Sequence, residues 1–277
     1  MAEPTPQPTF LQRHEFLLRR LHSLSGLIPV GAYMCVHLFV NASLLNSPAS
    51  YQDAVYQIHS LGKLLPVVEW GFIFLPILFH AIFGVVIMFG GLPNTAHYRY
   101  TANYRYMLQR ATGVIAFLFI FYHVFHMHGW FHGDWWLENV ARPLGGARFA
   151  PYNAGSSLAE AYGGFIPVIY AVGVAACVYH LANGIWTMGI TWGVWTTPAG
   201  QRRATVVCGV FGLLLLAVAA ASWMGPMRTN AEKAREIENK MYRAKVAAGE
   251  LDPAEASHKR AGHERVGKGL GERASTK

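Results

Sequence analysis

Charge is what this 277-residue chain has least of. Asp, Glu, Lys and Arg make up only 14% of it, against 53% hydrophobic residues and a mean hydropathy of +0.24. That is well under the quarter usual for a water-soluble domain, and the charges that exist lie outside a few long apolar runs. Cysteine is equally scarce. Cys35, Cys177 and Cys208 all sit inside apolar runs, with no paired spacing that would announce a disulfide framework or a redox motif. The polar, Pro-rich start MAEPTPQPTF is followed by an apolar run without a small-residue cleavage site, so no removable signal peptide is expected. No nucleic-acid motif and no solenoid-type repeat is present. The formal charge of +8 does not argue for nucleic acid either, because 12 of the 23 Lys and Arg fall after Pro226 in a mixed-charge tail. A membrane protein is what remains.

The run Pro66–Gly91, PVVEWGFIFLPILFHAIFGVVIMFGG, is long enough to cross a bilayer, where about 20 apolar residues are needed, and it carries His80 near its middle. An ionisable side chain at membrane depth is costly and faces the bundle interior with a partner. Three other apolar runs contain such a histidine: His37, His123 and His180. The expectation is an all-α integral membrane bundle of five transmembrane helices, over about 21–45, 66–91, 108–128, 161–190 and 204–223. Residues 1–20 form an N-terminal segment and 225–277 a charged tail. Pro29 is expected to kink the first span. Arg13, Arg19 and Arg20, then Arg99, Arg105 and Arg110, then Arg202 and Arg203, place the N-terminus and two loops in the cytoplasm by the positive-inside rule. Five spans then put the tail outside. Asn46–Leu65 and the Gly-, Trp- and Pro-rich Gly129–Glu160 are expected as outer connections, the latter Ω-like. Within the tail, Arg228–Glu250 has the spacing of an amphipathic helix, and the chain beyond it is polar and expected to be loosely ordered.

At about 1.5 Å per helical residue, His37 lies roughly 25 Å and His123 roughly 22 Å from the cytoplasmic ends of their spans. His80 and His180 lie roughly 21 Å and 28 Å from the outer ends of theirs. The four therefore sort into two pairs at two depths. Two imidazoles at one level on different helices can hold one haem iron from both faces, leaving no open position and favouring electron transfer over oxygen chemistry. Without a CxxCH pair the haem is non-covalent. A packing role or a proton relay is the competing explanation for any single intramembrane histidine. His126, three residues beyond His123 on the same helix face, is a rival ligand. His128 needs no more than an interfacial placement.

The segments RRLHSLSGLIPVG, VHLFVN, FLPILFHAIFG, LQRATG, YHVF, VYHLANGIW and TWGVWTTP, in this order and spacing, resemble the di-haem cytochrome b membrane anchor of succinate:quinone oxidoreductases, of the five-helix, single-subunit type. The resemblance runs from about Phe16 to Trp223 and leaves out the tail. It implies two haems b, His37 and His123 ligating the distal one and His80 and His180 the proximal one. It further implies a flavoprotein (FAD) and an iron–sulfur subunit on the cytoplasmic side of a bacterial inner membrane, and electron delivery to quinone, commonly menaquinone, near the distal haem. The chain alone would not oxidise succinate.

Around this frame, Arg19, Arg20 and His22 end the first span on the cytoplasmic side and Arg110 the third, where they can meet haem propionates or the iron–sulfur subunit. Flanking charge explains the arginines equally well. Glu69, eleven residues outward from His80, is a candidate for quinone-linked proton transfer, with an interfacial carboxylate at a helix N-terminus as its plainer explanation. Asn183, Gly84 and Gly184 are read as packing residues. The same sequence suits a fumarate reductase subunit. Two readings of other classes compete: a transporter whose histidines relay protons, and a haem-free structural anchor.

Overall fold

The computed structural model describes residues 9–91, 95, 97, 99–256 and 259–261. Among them there is no strand, and five helical stretches are long and apolar enough to cross a membrane: Phe10–Leu45, Gly62–Phe89, Thr101–His128, Ile166–Thr191 and Pro198–Arg228. Helices suit this composition because a backbone in hydrocarbon must satisfy its own polar groups. Large apolar side chains on these stretches stay uncovered, Phe39 and Leu213 among them, as lipid-facing positions require. The first eight residues and 262–277, which include the polar end of the tail, lie outside the described residues.

Several helices outrun their apolar segments. The first begins with α1 (Phe10–Ser25), where the Thr9 side chain accepts from Gln12 N and the Gln12 side chain accepts from Thr9 N, closing a capping box. It continues through a π-helical turn, Gly26–Gly31, into α2 (Ala32–Ala42). Pro29 lies in that wider turn, which accommodates the ring and the missing N–H that would strain a regular helix. A second π-helical turn, Glu69–Phe74, precedes the helix Leu75–Phe89. The expected span 161–190 is divided: a short helix, Ala154–Ala161, ends before a turn containing Gly164 at φ +57°, and the long helix begins at Ile166. The connection Asn46–Leu65 carries a helix of its own, α3 (Pro48–His59), capped by the Ser47 hydroxyl accepting from Ser50 N.

The chain divides into two compact units. One comprises Met1–Cys35, Pro66–Gly113 and Tyr179–Gly212. In it α1 packs along Leu75–Phe89, and the two π-helical turns meet. The other comprises Val36–Leu65, Val114–Val178 and Leu213–Lys277. Here the tail folds into a helix, Ala231–Ala247, packed on α3 and on Ala154–Ala161. Glu238, wholly buried, ties it down: one carboxylate oxygen accepts from Gly155 N (2.7 Å) and Ser156 N (3.0 Å), and the other from Ser156 Oγ (2.6 Å). Those amides are the otherwise unsatisfied first donors of Ala154–Ala161. Burial raises the carboxyl's pKa above the usual carboxylate range, and the bonds from Ser156 and Gly155 offset part of that rise.

The stretch Gly129–Glu160, expected as a loop, is more ordered than its Gly and Pro content suggests. It contains the turns Asp134–Trp136, Leu137–Ala141 and Pro151–Asn153. Its amides at Ala147, Arg148 and Phe149 donate to the carbonyls of Phe125, His126 and Met127, satisfying acceptors that end Thr101–His128.

Candidate functional site

In the first unit, His80 and His180 stand with ring centroids 6.1 Å apart and planes at 88°. His80 Nδ1 is 2.8 Å from the His22 carbonyl, and His180 Nδ1 is 3.0 Å from the Gln109 carbonyl. A carbonyl can only accept, so the His22 carbonyl calls for a proton on His80 Nδ1 and the Gln109 carbonyl, the shorter of the two Gln109 contacts, favours the same tautomer for His180, leaving the Nε2 lone pair that a metal-ligating histidine needs. Glycine makes these approaches feasible. A Cβ on Gly26 would lie 2.3 Å from His80 Cε1, and one on Gly113 would lie 2.9 Å from His180 Cε1. The His180 side is braced further. The Gln109 amide donates to the His180 carbonyl (3.1 Å) and lies 3.2 Å from its Nδ1 and 3.4 Å from its Nε2; Asn183 Nδ2 donates to Gln109 Oε1 (2.8 Å); and Arg105 Nε donates to Asn183 Oδ1 (2.8 Å). The Arg105 guanidinium rests 3.7 Å from the Trp186 ring centroid.

In the second unit, His37 and His123 stand 5.8 Å apart with planes at 76°. Their surroundings are side chains. Asn41 Nδ2 donates to the His37 carbonyl (2.8 Å) and lies 3.5 Å from its Nε2, while Asn41 Oδ1 accepts from the Tyr51 hydroxyl (3.1 Å). His123 Nδ1 is 3.2 Å from the Tyr170 hydroxyl, and Phe119 stacks on its ring at 5.7 Å. His126, the rival, is buried with its Nδ1 2.8 Å from the same hydroxyl. An apolar cluster of Leu44, Tyr51, Val55, Met127, Leu158 and Tyr170 encloses this region.

Of the other residues singled out in the sequence, the structure brings only His22 against a histidine pair: its ring stacks on His80 at 4.1 Å and 8°. Arg19 pairs with Glu15 on an exposed face at 2.8 Å. The Arg20 guanidinium lies over the rings of Phe16 and Trp192, and Arg110 bonds the Tyr106 hydroxyl and the Met88 carbonyl. Glu69 opens its π-helical turn, half-buried and within electrostatic reach of Tyr33. Asn183 is a link in the Arg105–Gln109 chain. Gly26, Gly113, Gln109, Arg105 and Tyr170 were missed as parts of the site. A signal existed for two of them, because Arg105 and Gln109 are four apart and so share a helix face.

Two metal–imidazole bonds of about 2 Å each, plus roughly 1 Å from each nitrogen to its ring centre, put axial imidazoles about 6 Å apart across one metal. Both pairs have that spacing. No group of three or more His, Cys, Asp or Glu gathers at one point among the described residues. Five apolar helices bearing paired imidazoles are the scaffold of a membrane-embedded b-type cytochrome. No family model matches the chain. It is 35% identical over 193 residues to the succinate dehydrogenase cytochrome b558 subunit of Bacillus subtilis (strain 168), a match covering 70% of this chain and 88% of that protein. The chain belongs to the cytochrome b membrane-anchor subunits of succinate dehydrogenase. Membership implies an integral membrane location and haem b as cofactor.

Proposed function

We propose that the chain holds two haems b, one between His80 and His180 and one between His37 and His123, and serves as the electron-transferring anchor of a succinate:quinone oxidoreductase. The observation that carries this reading is the matched spacing of the two imidazole pairs, 6.1 and 5.8 Å. A haem held between the two imidazoles of a pair would supply one-electron transfer. The chain's own residues orient the imidazoles: the carbonyls of His22 and Gln109 hold the protons of His80 and His180 on Nδ1, and Gly26 and Gly113 admit the rings.

Succinate oxidation itself falls to a flavoprotein partner, with an iron–sulfur subunit passing electrons on at the cytoplasmic face and quinone, menaquinone by resemblance, as acceptor. The relative named for succinate dehydrogenase favours this direction over fumarate reduction. The Lys and Arg distribution supports a cytoplasmic N-terminus and an outer tail in a bacterial inner membrane. Glu69 is proposed as the acid that exchanges protons with quinone.

The test is a dithionite-reduced spectrum of the purified complex with haem stoichiometry. About two low-spin haems b per chain are expected. His80→Ala and His180→Ala should each remove the same spectral component, and His37→Ala and His123→Ala the other. A haem-free protein, or one component lost in both His80→Ala and His123→Ala, overturns the assignment.

A further inference from the structure

Tyr170 stands between two histidines of the helix Thr101–His128. Its ring is buried against Phe119 (centroids 5.2 Å) and Tyr162 (4.9 Å), and its hydroxyl lies 3.2 Å from His123 Nδ1 and 2.8 Å from His126 Nδ1. His126 is itself fixed, stacked on Tyr122 at 5.4 Å and 11°. A phenol has one proton to give and lone pairs to accept with, and a neutral imidazole has one N–H and one bare nitrogen. The two contacts therefore cannot both be bonds donated by Tyr170.

With His123 ligating through Nε2, its proton sits on Nδ1 and is donated to the Tyr170 oxygen. The nearest acceptor for the phenol proton is then a bare Nδ1 on His126, 2.8 Å away. The order His123→Tyr170→His126 is the one that also gives the phenol proton an acceptor among these contacts, and it leaves His126 protonated on Nε2. Donation by the phenol to His126 makes its oxygen a better acceptor, since chained hydrogen bonds polarise one another. A stronger acceptor at Nδ1 makes the imidazole a more basic ligand.

We propose that Tyr170, polarised by His126, is a positioning residue that locks the tautomer and orientation of His123 and lowers the midpoint potential of the haem held by His37 and His123. The inference rests on the reading of His123 as an axial ligand. It also gives His126 a role other than that of rival ligand. In the first unit the groups nearest the two Nδ1 atoms among the described residues are backbone carbonyls, which have no proton to pass on.

The experiment is a potentiometric titration of the haem absorbance, with low-temperature EPR, on the complete complex in detergent. His123→Ala identifies the component to follow. In Tyr170→Phe both haems are expected at unchanged stoichiometry, with that component alone shifted to higher potential and altered in its low-spin EPR signal. His126→Phe, which leaves the phenol in place but removes its acceptor, should move the same component by less. His126→Gln, whose amide oxygen can accept, should restore most of the original value. If His123→Ala loses one haem and Tyr170→Phe and His126→Phe shift neither, the ligand reading stands and the role of Tyr170 fails. If His123→Ala keeps both haems, the ligand reading fails and takes this inference with it. Loss of that haem from both Tyr170→Phe and His126→Phe would make the pair an assembly element and overturn the tuning role.

Discussion

Around His80 and His180 main chain lies close to the rings: the carbonyls of His22 and Gln109 face the two Nδ1 atoms, the backbones of Gly26 and Gly113 lie against the ring edges, and the Gln109 amide is the side chain that approaches the His180 nitrogens. Around His37 and His123 the polar partners on the rings are side chains, namely Asn41 backed by Tyr51, and Tyr170 shared with His126. The difference sets what each site is sensitive to. A carbonyl cannot be mutated away, so apart from the Gln109 amide the first site is disturbed chiefly by adding atoms where glycine left room. The second is disturbed by taking atoms away, because the groups that orient its rings belong to replaceable side chains. The second unit repeats the pattern in its tail helix, where one buried carboxylate caps a neighbouring helix.

The largest effect that would test this contrast is at Gly26. A Val there places atoms within 2.3 Å of the His80 ring, and overpacking of that severity costs about 1–3 kcal/mol or displaces the ring outright. Gly26→Val is expected to lose the haem of His80 and His180 while keeping the other, as read by haem stoichiometry and the reduced spectrum. Gly113→Ala, with its nearest contact at 2.9 Å, should lower occupancy of that haem only in part. Full occupancy in both variants would mean that the glycines do not position the imidazoles.

Glu69→Gln is expected to slow quinone-linked turnover severalfold with both haems retained and dye-linked succinate oxidation near normal, since Gln keeps the size but not the exchangeable proton. Loss of a haem would make Glu69 structural, and unchanged quinone turnover would leave it an interfacial carboxylate.

The smallest effect belongs to the tail helix and the short helix it packs on. Glu238→Ala orphans the Gly155 and Ser156 amides and should destabilise the packing of Ala231–Ala247 by about 1–3 kcal/mol, read as faster proteolysis of the tail. Glu238→Gln should cost much less, because its amide oxygen can accept from both N–H groups and its nitrogen can donate to Ser156 Oγ. The pH dependence has a definite sign. A carboxyl whose folded pKa is raised contributes stability that is fully present below its unfolded value and lost as pH rises through the folded one. Protection of the tail should fall across that window in the unsubstituted protein and stay flat in Glu238→Gln.

Much of this molecule was legible from residues alone. Low charge density and runs of 20 or more apolar residues leave a chain few options besides transmembrane helices, because unsatisfied backbone in lipid is prohibitive. An imidazole at membrane depth stands out against such a background, and rise per residue sorts four of them by depth. The spacing of Ala234, Ile237 and Met241 likewise announced the tail helix. Those signals are one-dimensional, set by solvent and helical period. What only the tertiary structure decided is what touches each ring: that Gly26 rather than Gly84 admits His80, that Gln109 and Arg105 stand behind His180, that Tyr170 reaches two histidines at once, and that Glu238 seats the tail on Ala154–Ala161. Each of these joins residues from different helices, and their meeting depends on rotation and register between helices, which apolar stripes facing lipid and protein alike do not encode.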